Sequence, residues 1–108
     1  MATKRMAPAE RKEQILQAAI RVAEVKGYSK INRLQVVEEL GGQVTDGLVS
    51  RYFGQRAALR DAVLTAGLER GNLTIIAQAL ALGVRKAKAL GAQIPPDTVR
   101  SWKEFLGA

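Results

Sequence analysis

Apolar residues recur every three to four positions along most of the chain, and no stretch alternates apolar and polar residues one by one. Spacing of three to four indicates one buried face of an α-helix, whereas alternation would indicate a strand. The sequence therefore predicts an all-α fold. Glycines and a Pro95-Pro96 pair separate the apolar stretches. The predicted helices cover about residues 9–26, 33–40, 46–53, 56–70, 73–90 and 97–106.

Helix-capping residues support several of these boundaries. Asn32 and Gln35 form a pair like a capping box before the second helix, and Thr45 and Asn72 are N-cap residues for the third and fifth. The spacing predicts a buried face in the second helix and a core contribution from the third. These buried positions are Leu34, Val36, Val37 and Leu40, followed by Val49 and Phe53.

The stretch from Val36 to Leu59 has the layout of a helix-turn-helix. A short amphipathic helix stops at Gly41-Gly42, and a second short helix begins at Thr45. In that motif the second helix can lie in a DNA major groove. The pattern therefore predicts a three-helix DNA-binding unit followed by two or three C-terminal helices. We divide the chain into a basic arm, a helix-turn-helix domain and a dimerising segment, over residues 1–8, 9–70 and 71–108.

Charge and composition agree with a polyanionic partner. The net charge is +7; residues 1–60 contribute +5 (11 basic, 6 acidic) and residues 61–108 contribute +2 (6 basic, 4 acidic). Such a balance favours nucleic acid over a membrane surface, with charge for solubility as the plainer alternative. The chain lacks Cys and His, so the commonest metal ligands and general base are absent. We expect no enzyme activity, no metal, no cofactor and no membrane association, and a cytoplasmic, nucleoid-associated protein.

A series of short motifs runs in order through residues 11–64. The first helix carries an Ile-Leu-x-Ala-Ala-like pattern, a glycine and an aromatic residue follow it, and an apolar pair marks the second helix. A turn then leads into the third helix, which ends in Tyr-Phe before the fourth helix. The residues are Ile15, Leu16, Ala18, Ala19, Gly27, Tyr28, Val36, Val37, Val44-Thr45-Asp46-Gly47, Tyr52-Phe53 and Gln55-Arg56-Ala57-Ala58-Leu59. In this order and approximate spacing they resemble the DNA-binding domain of TetR-type transcriptional regulators, in which the third helix is the recognition helix.

The chain departs from that family in three places. The turn is one or two residues longer, with Gly42 and Gln43 extra, and Ser50 stands where the family has a phosphate-contacting tyrosine. Residues 71–108 are shorter than the large effector-binding and dimerising domain that follows this unit in the family. The resemblance therefore implies a DNA-binding unit but gives no effector pocket and no dimer interface, and we expect no small-molecule effector.

Candidate DNA contacts fall on four short segments. On the recognition helix, Arg51 is a candidate for guanine or phosphate, while Asp46 either accepts from cytosine or favours the helix dipole, the second being preferred. Thr45 and Leu48 each have a capping or core alternative. Contacts to the DNA backbone are expected from residues at the starts of the second and fourth helices, and the arm either follows a groove or is solvated. The full candidate set is Lys4, Arg5, Asn32, Arg33, Thr45, Asp46, Gly47, Leu48, Ser50, Arg51, Tyr52, Gln55 and Arg56.

The C-terminal segment is the candidate dimer surface. Residues 73–90 are apolar around much of the predicted helix, which must therefore be buried against something. A second copy is one answer, because paired recognition helices read a palindrome; an intrachain core is the other. The candidate dimer residues are Ile76, Leu80, Leu90, Trp102 and Phe105.

We therefore expect a homodimeric, sequence-specific regulator of transcription that binds double-stranded DNA, most simply as a repressor occupying a palindromic operator. Two alternatives stay open. An architectural, replication or partition protein would use the same motif with weak sequence preference and steep salt dependence. A helical adaptor would use the motif only as a scaffold and bind another protein through the apolar band of residues 73–90.

Overall fold

A computed structural model describes residues 6–108, and the predicted arm residues Lys4 and Arg5 lie outside this part. Seven α-helices and two 3-10 turns make up the described chain, with no strand among residues 6–108, so the predicted all-α fold is confirmed. The helices are α1 (Pro8–Lys26), α2 (Arg33–Glu39), α3 (Asp46–Phe53), α4 (Arg56–Glu69), α5 (Leu73–Ala81), α6 (Arg85–Lys88) and α7 (Pro96–Leu106). The 3-10 turns are Tyr28–Lys30 and Gly91–Gln93.

Local capping sets the helix starts as the sequence predicts. The Asn32 Oδ1 atom accepts from the Gln35 backbone N–H at 3.0 Å, and the Gln35 Oε1 atom accepts from the Asn32 N–H at 2.9 Å. Thr45 Oγ1 accepts from the Leu48 N–H at 3.1 Å, and Asn72 caps α5 in the same way. Each cap satisfies a backbone donor that has no partner inside its own helix.

The prediction of a single helix over residues 73–90 is wrong, because α5 ends at Ala81 and a separate helix, α6, begins at Arg85. Gly83 has a φ of 74°, a left-handed conformation that glycine adopts without steric cost. Its N–H donates to Leu80 O at 3.1 Å, and the Val84 N–H donates to Ala79 O at 2.9 Å. These two bonds form the helix-ending arrangement typical of a glycine C-cap, and the apolar residues on both sides gave no sign of it.

The main hydrophobic core lies where α1 packs against α2, α4 and α5, with α3 packed on α2 and α4. Its fully buried side chains include Ile15, Ile31, Val36, Leu59 and Ile75. A second, smaller cluster lies between α5 and α7 and contains Ile76, Ala77 and Ile94, flanked by Leu68, Leu80, Val99 and Trp102. The apolar band of α5 is thus covered largely by other helices of the same chain.

One predicted core residue of α2 is exposed. Leu34 is 61% accessible, whereas Val36 is fully buried and Leu40 is 8% accessible. At 100° per residue, Leu34 lies about 200° around the helix from Val36. It therefore points away from the side of α2 that packs on α1 and α3, and its assignment to the buried face was wrong.

A buried amide joins α5 to the end of α1. Gln78 is fully buried; its Nε2 donates to Ala23 O at 2.9 Å, and its Oε1 accepts from the Tyr28 N–H at 2.8 Å. On the surface, Arg70, the C-cap residue of α4, donates two hydrogen bonds to the Glu13 carboxylate of α1, at 2.7 and 2.9 Å. These hydrogen bonds hold α4 and α5 against α1, on which α2 also packs.

Candidate nucleic-acid interface

The link between α2 and α3 is a tight glycine turn. Gly41 and Gly42 have φ values of 60° and 81°, and the Gly41 N–H donates to Glu38 O while the Gly42 N–H donates to Val37 O. A side chain at either position would be strained in this conformation. The turn ends α2 within two residues. The following segment packs on the core through Val44, which is 3% accessible.

One side of α3 is anchored and the other is open. Val49 is fully buried and Phe53 is 8% accessible, as predicted. Thr45, Asp46, Gly47 and Arg51 are exposed, and Ser50 is partly exposed. Leu48 and Tyr52 are half-buried against the main core, so both side chains have a packing role. The helix therefore presents mainly its first turn and Arg51 to a partner.

Arg33 connects the starts of three helices. Its Nε donates to Asp46 Oδ1 at 2.9 Å, and its Nη1 donates to Gln55 Oε1 at 3.2 Å. Arg33 opens α2, Asp46 opens α3 and Gln55 is the N-cap residue of α4. The sequence named all three residues as candidate contacts without indicating that they bind one another. They lie 13 and 22 positions apart, beyond the reach of a local pattern.

A polar depression lies at this junction. Its lining residues are Asn32, Arg33, Leu34, Asp46, Gln55, Arg56 and Ala57. Gln55 makes no side-chain cap bond to α4, so the first N–H groups of that helix have no acceptor from its N-cap side chain, and Arg56 and Ala57 of its first turn line the depression. Free N–H groups at a helix start, together with arginines, favour an anion.

Arg60 fixes α4 against the segment that leads into α2. Its Nε donates to Ile31 O at 2.9 Å. Partial burial lowers the pKa of the Arg60 guanidinium below its usual value, and the nearby positive charge of Arg56 lowers it further. Arg60 stays protonated, because an arginine pKa starts far above neutrality. Sequence reasoning did not single out Arg60, whose role depends on a contact across 29 positions.

Two candidate arginines remain uncommitted at the surface. Within residues 6–108, neither Arg51 nor Arg56 forms an ion pair, and neither side chain donates a hydrogen bond to another described residue. Both are exposed. The structure thus brings five predicted contacts, Asn32, Arg33, Asp46, Gln55 and Arg56, to one depression, with Thr45, Gly47, Ser50 and Arg51 along α3.

The predicted dimer residues divide into two groups. Ile76 is 2% accessible within the single chain, so its assignment to a surface for a second copy is corrected: α7 covers it. Leu80 is half-buried in the core. Leu90 and Phe105 are 41% and 63% accessible, and Phe105 lies edge-on to the half-buried Trp102 with 5.5 Å between ring centroids. Of the five predicted dimer residues, Leu90 and Phe105 are therefore the exposed ones, and Trp102 lies beside Phe105.

Among residues 6–108, no three side chains of the metal-ligating types gather in one place. No helix in that part of the chain is long and apolar enough to cross a membrane. Comparisons with protein-family models, with curated proteins and with solved structures found no match to this chain.

Proposed function

We propose that this chain binds double-stranded DNA, with α3 in the major groove, and regulates transcription by occupying promoter DNA. The observation that carries the proposal is the α2–turn–α3 unit: its inner face is anchored by Val49 and Phe53, and its outer face carries Arg51. A helix held in this way can enter a groove about 12 Å wide while the preceding helix stays above it.

The exposed side chains of α3 suit base recognition. An arginine can donate two parallel hydrogen bonds to guanine O6 and N7, which makes Arg51 the main candidate for reading sequence. Thr45 and Ser50 carry hydroxyl groups that can donate to base edges or phosphates, and Gly47 allows the backbone to approach closely. Arg51 is exposed and makes no ion pair among the described residues, so binding DNA would break no such contact.

The depression at the helix starts suits the DNA backbone. Arg33 and Arg56 supply positive charge there, and Asn32 and Gln55 supply amide groups. Contacts to phosphates fix the register of a protein on the duplex without reading its sequence. The net charge of +7 adds long-range attraction to the polyanion.

Transcriptional control is supported by the resemblance of residues 11–64 to the DNA-binding domain of TetR-type regulators. Repression by occupancy is the simplest form of it, because it needs only binding at a promoter. The same unit in an architectural or replication protein would bind DNA with less sequence preference, and the selection experiment below separates these cases.

The proposal includes a homodimer formed through α7. Phe105 and Trp102 present apolar surface there, and the exposed residues Lys103 and Glu104 place opposite charges beside it. A helix that carries both signs can pair with a symmetry-related copy of itself. Sedimentation of the free protein tests this part, and Phe105→Ser is expected to shift a dimer to monomer.

The experiment that tests the function is selection of random duplex DNA by the purified protein at physiological salt, with sequencing of the bound pool. We expect an enriched inverted repeat whose half-sites lie about one helical turn apart. Arg51→Ala should remove the enrichment at one or two positions in each half-site. The matched control is Arg21→Ala, which removes an arginine paired with Glu39 at the far end of α2 and should leave the enriched sequence unchanged.

Each other outcome has a definite meaning. Binding without enrichment, lost steeply as salt rises, would replace the regulator by a nonspecific DNA-binding protein. No binding at any salt concentration would reject DNA as the partner. The adaptor hypothesis would then be favoured, and it predicts that Leu80→Asp abolishes function while Arg51→Ala has no effect.

A further inference from the structure

We propose that Asp46 and Gln55 are positioning residues, which hold the Arg33 guanidinium so that it donates to one DNA phosphate at the junction of α2, α3 and α4. The inference rests on the proposed function. It also assigns Asp46 a role other than accepting a hydrogen bond from a base, although Asp46 is the first residue of the helix proposed to enter the groove.

The Arg33 guanidinium is held in one orientation and still has N–H donors available for a ligand. An arginine side chain has five N–H donors, and the structure uses two of them, one on Nε toward Asp46 and one on Nη1 toward Gln55. The second Nη1 hydrogen and both Nη2 hydrogens remain for a ligand. The Arg33 side chain is 26% accessible, while its partner Asp46 is 59% accessible, so the guanidinium is partly enclosed yet reachable.

The surroundings of Arg33 fit a phosphate better than a base. Arg56 lines the same depression, and α4 has fourteen residues with no side-chain cap at its start. A phosphate there would accept from the free hydrogens of Arg33, and Arg56 with the first N–H groups of α4 would add favourable charge. A base edge offers at most two acceptors in one plane and would leave the remaining donors unused.

Asp46 has two opposing effects on DNA, and their balance can be measured. Its negative charge repels phosphates, and because physiological salt screens charges mainly beyond about 8 Å, a phosphate held by Arg33 still meets this repulsion. Its bond to Nε also keeps a flexible arginine in one orientation, so that less side-chain freedom is lost when the phosphate binds. If positioning outweighs repulsion, removing Asp46 weakens binding as long as Arg33 is present and strengthens it once Arg33 is gone.

The test is a double-mutant cycle of Asp46→Ala and Arg33→Ala, read as the dissociation constant for the selected duplex at several salt concentrations. We expect Arg33→Ala to reduce the slope of log affinity against log salt by about 0.9, the value for one phosphate contact. Asp46→Ala should weaken binding at least about threefold in the presence of Arg33, and should not weaken it in the Arg33→Ala background.

Two further variants separate positioning from charge and from folding. Asp46→Asn keeps an oxygen that accepts from Nε but removes the charge, so it should bind at least as tightly as the original protein. Glu39→Ala removes a carboxylate paired with Arg21 at the other end of α2, and it should leave the salt slope unchanged. Thermal unfolding of every variant keeps the binding measurements below the unfolding transition.

Tighter binding of Asp46→Ala in both backgrounds would overturn the inference, because Asp46 would then act only as a repelling charge. An unchanged salt slope in Arg33→Ala would overturn it as well, because Arg33 would then touch no phosphate. Both results leave the proposed function standing, since the original protein still binds its duplex. Failure of the original protein to bind any duplex would reject the proposed function together with this inference.

Discussion

Replacing Gln78 by leucine tests the tie between α5 and the end of α1. Leucine is apolar and similar in size to glutamine. The substitution therefore removes two hydrogen bonds from a fully buried position without opening a large cavity. The Tyr28 N–H would lose its acceptor, and Tyr28 is only 7% accessible. Ala23 O would keep the bond from the Gly27 N–H at 2.8 Å.

The expected cost follows from this asymmetry. One buried donor is left without a partner, which costs about 1–3 kcal/mol, while the carbonyl of Ala23 remains bonded. A protein of this size has a free energy of unfolding of about 5–15 kcal/mol. A loss near 2 kcal/mol would lower the midpoint of thermal unfolding by about 10 °C.

Urea unfolding followed by circular dichroism measures the effect. The matched control is Gln17→Leu, the same chemical change at an exposed position of α1, which should alter the free energy of unfolding by less than about 0.5 kcal/mol. A second variant, Gln78→Glu, keeps an acceptor for the Tyr28 N–H, but it can donate to Ala23 O only while its carboxyl is protonated. Burial raises the pKa of such a carboxyl. The free energy of unfolding of the variant, relative to that of the original protein, should therefore be highest in acid and fall as the pH rises through that pKa.

Equal stability of Gln78→Leu and the original protein would refute this reasoning. It would mean that Tyr28 finds another acceptor and that the amide does not join the helices. If Gln78→Glu differed from the original protein by the same free energy of unfolding at pH 4 and pH 8, the burial of the site would be contradicted, because a buried carboxylate must be costly when ionised.

Substitutions at three other sites test the packing, the surface ion pair and the cap of α3. Gly67→Ala should lower the free energy of unfolding by about 1–2 kcal/mol in urea unfolding, since the new Cβ would lie 2.6 Å from Ile75 Cβ; a stabilised variant would contradict the close approach of α4 and α5. Arg70 lowers the pKa of the Glu13 carboxyl through its hydrogen bonds, so Glu13→Gln should be less stable than the original protein above about pH 4.5, by under about 1 kcal/mol because both side chains are largely exposed. That difference should vanish as the pH falls through the lowered pKa, and a difference that persists in acid would rule out the ion pair as its source. Thr45→Ala should cost about 1 kcal/mol in thermal unfolding through loss of the cap to α3, while Thr45→Ser should stay near the original stability; equal loss in both would mean that the hydroxyl is not the cause.

The contact of Arg33 with Asp46 and Gln55 joins residues that the sequence indicated only one by one. The sequence was sufficient to name Arg33, Asp46 and Gln55 individually, because each stands at the start of a predicted helix. It gave Asp46 a choice between a base contact and the helix dipole, and neither choice included Arg33. The ion pair between Arg33 and Asp46 requires α2 and α3 to be packed at one particular angle, and no spacing along the chain encodes that angle.

What the sequence by itself determined is the set of helices and most of their ends. Asn32, Thr45 and Asn72 act on backbone groups only three residues away, so their effect is readable from neighbours. Only the tertiary structure decided which apolar faces are covered and where buried polar groups bind. Ile76 is buried because α7 folds back over α5, and Gln78 is satisfied by a carbonyl 55 positions away. Such contacts depend on the arrangement of whole helices, which the energy of the complete core selects and no short segment specifies.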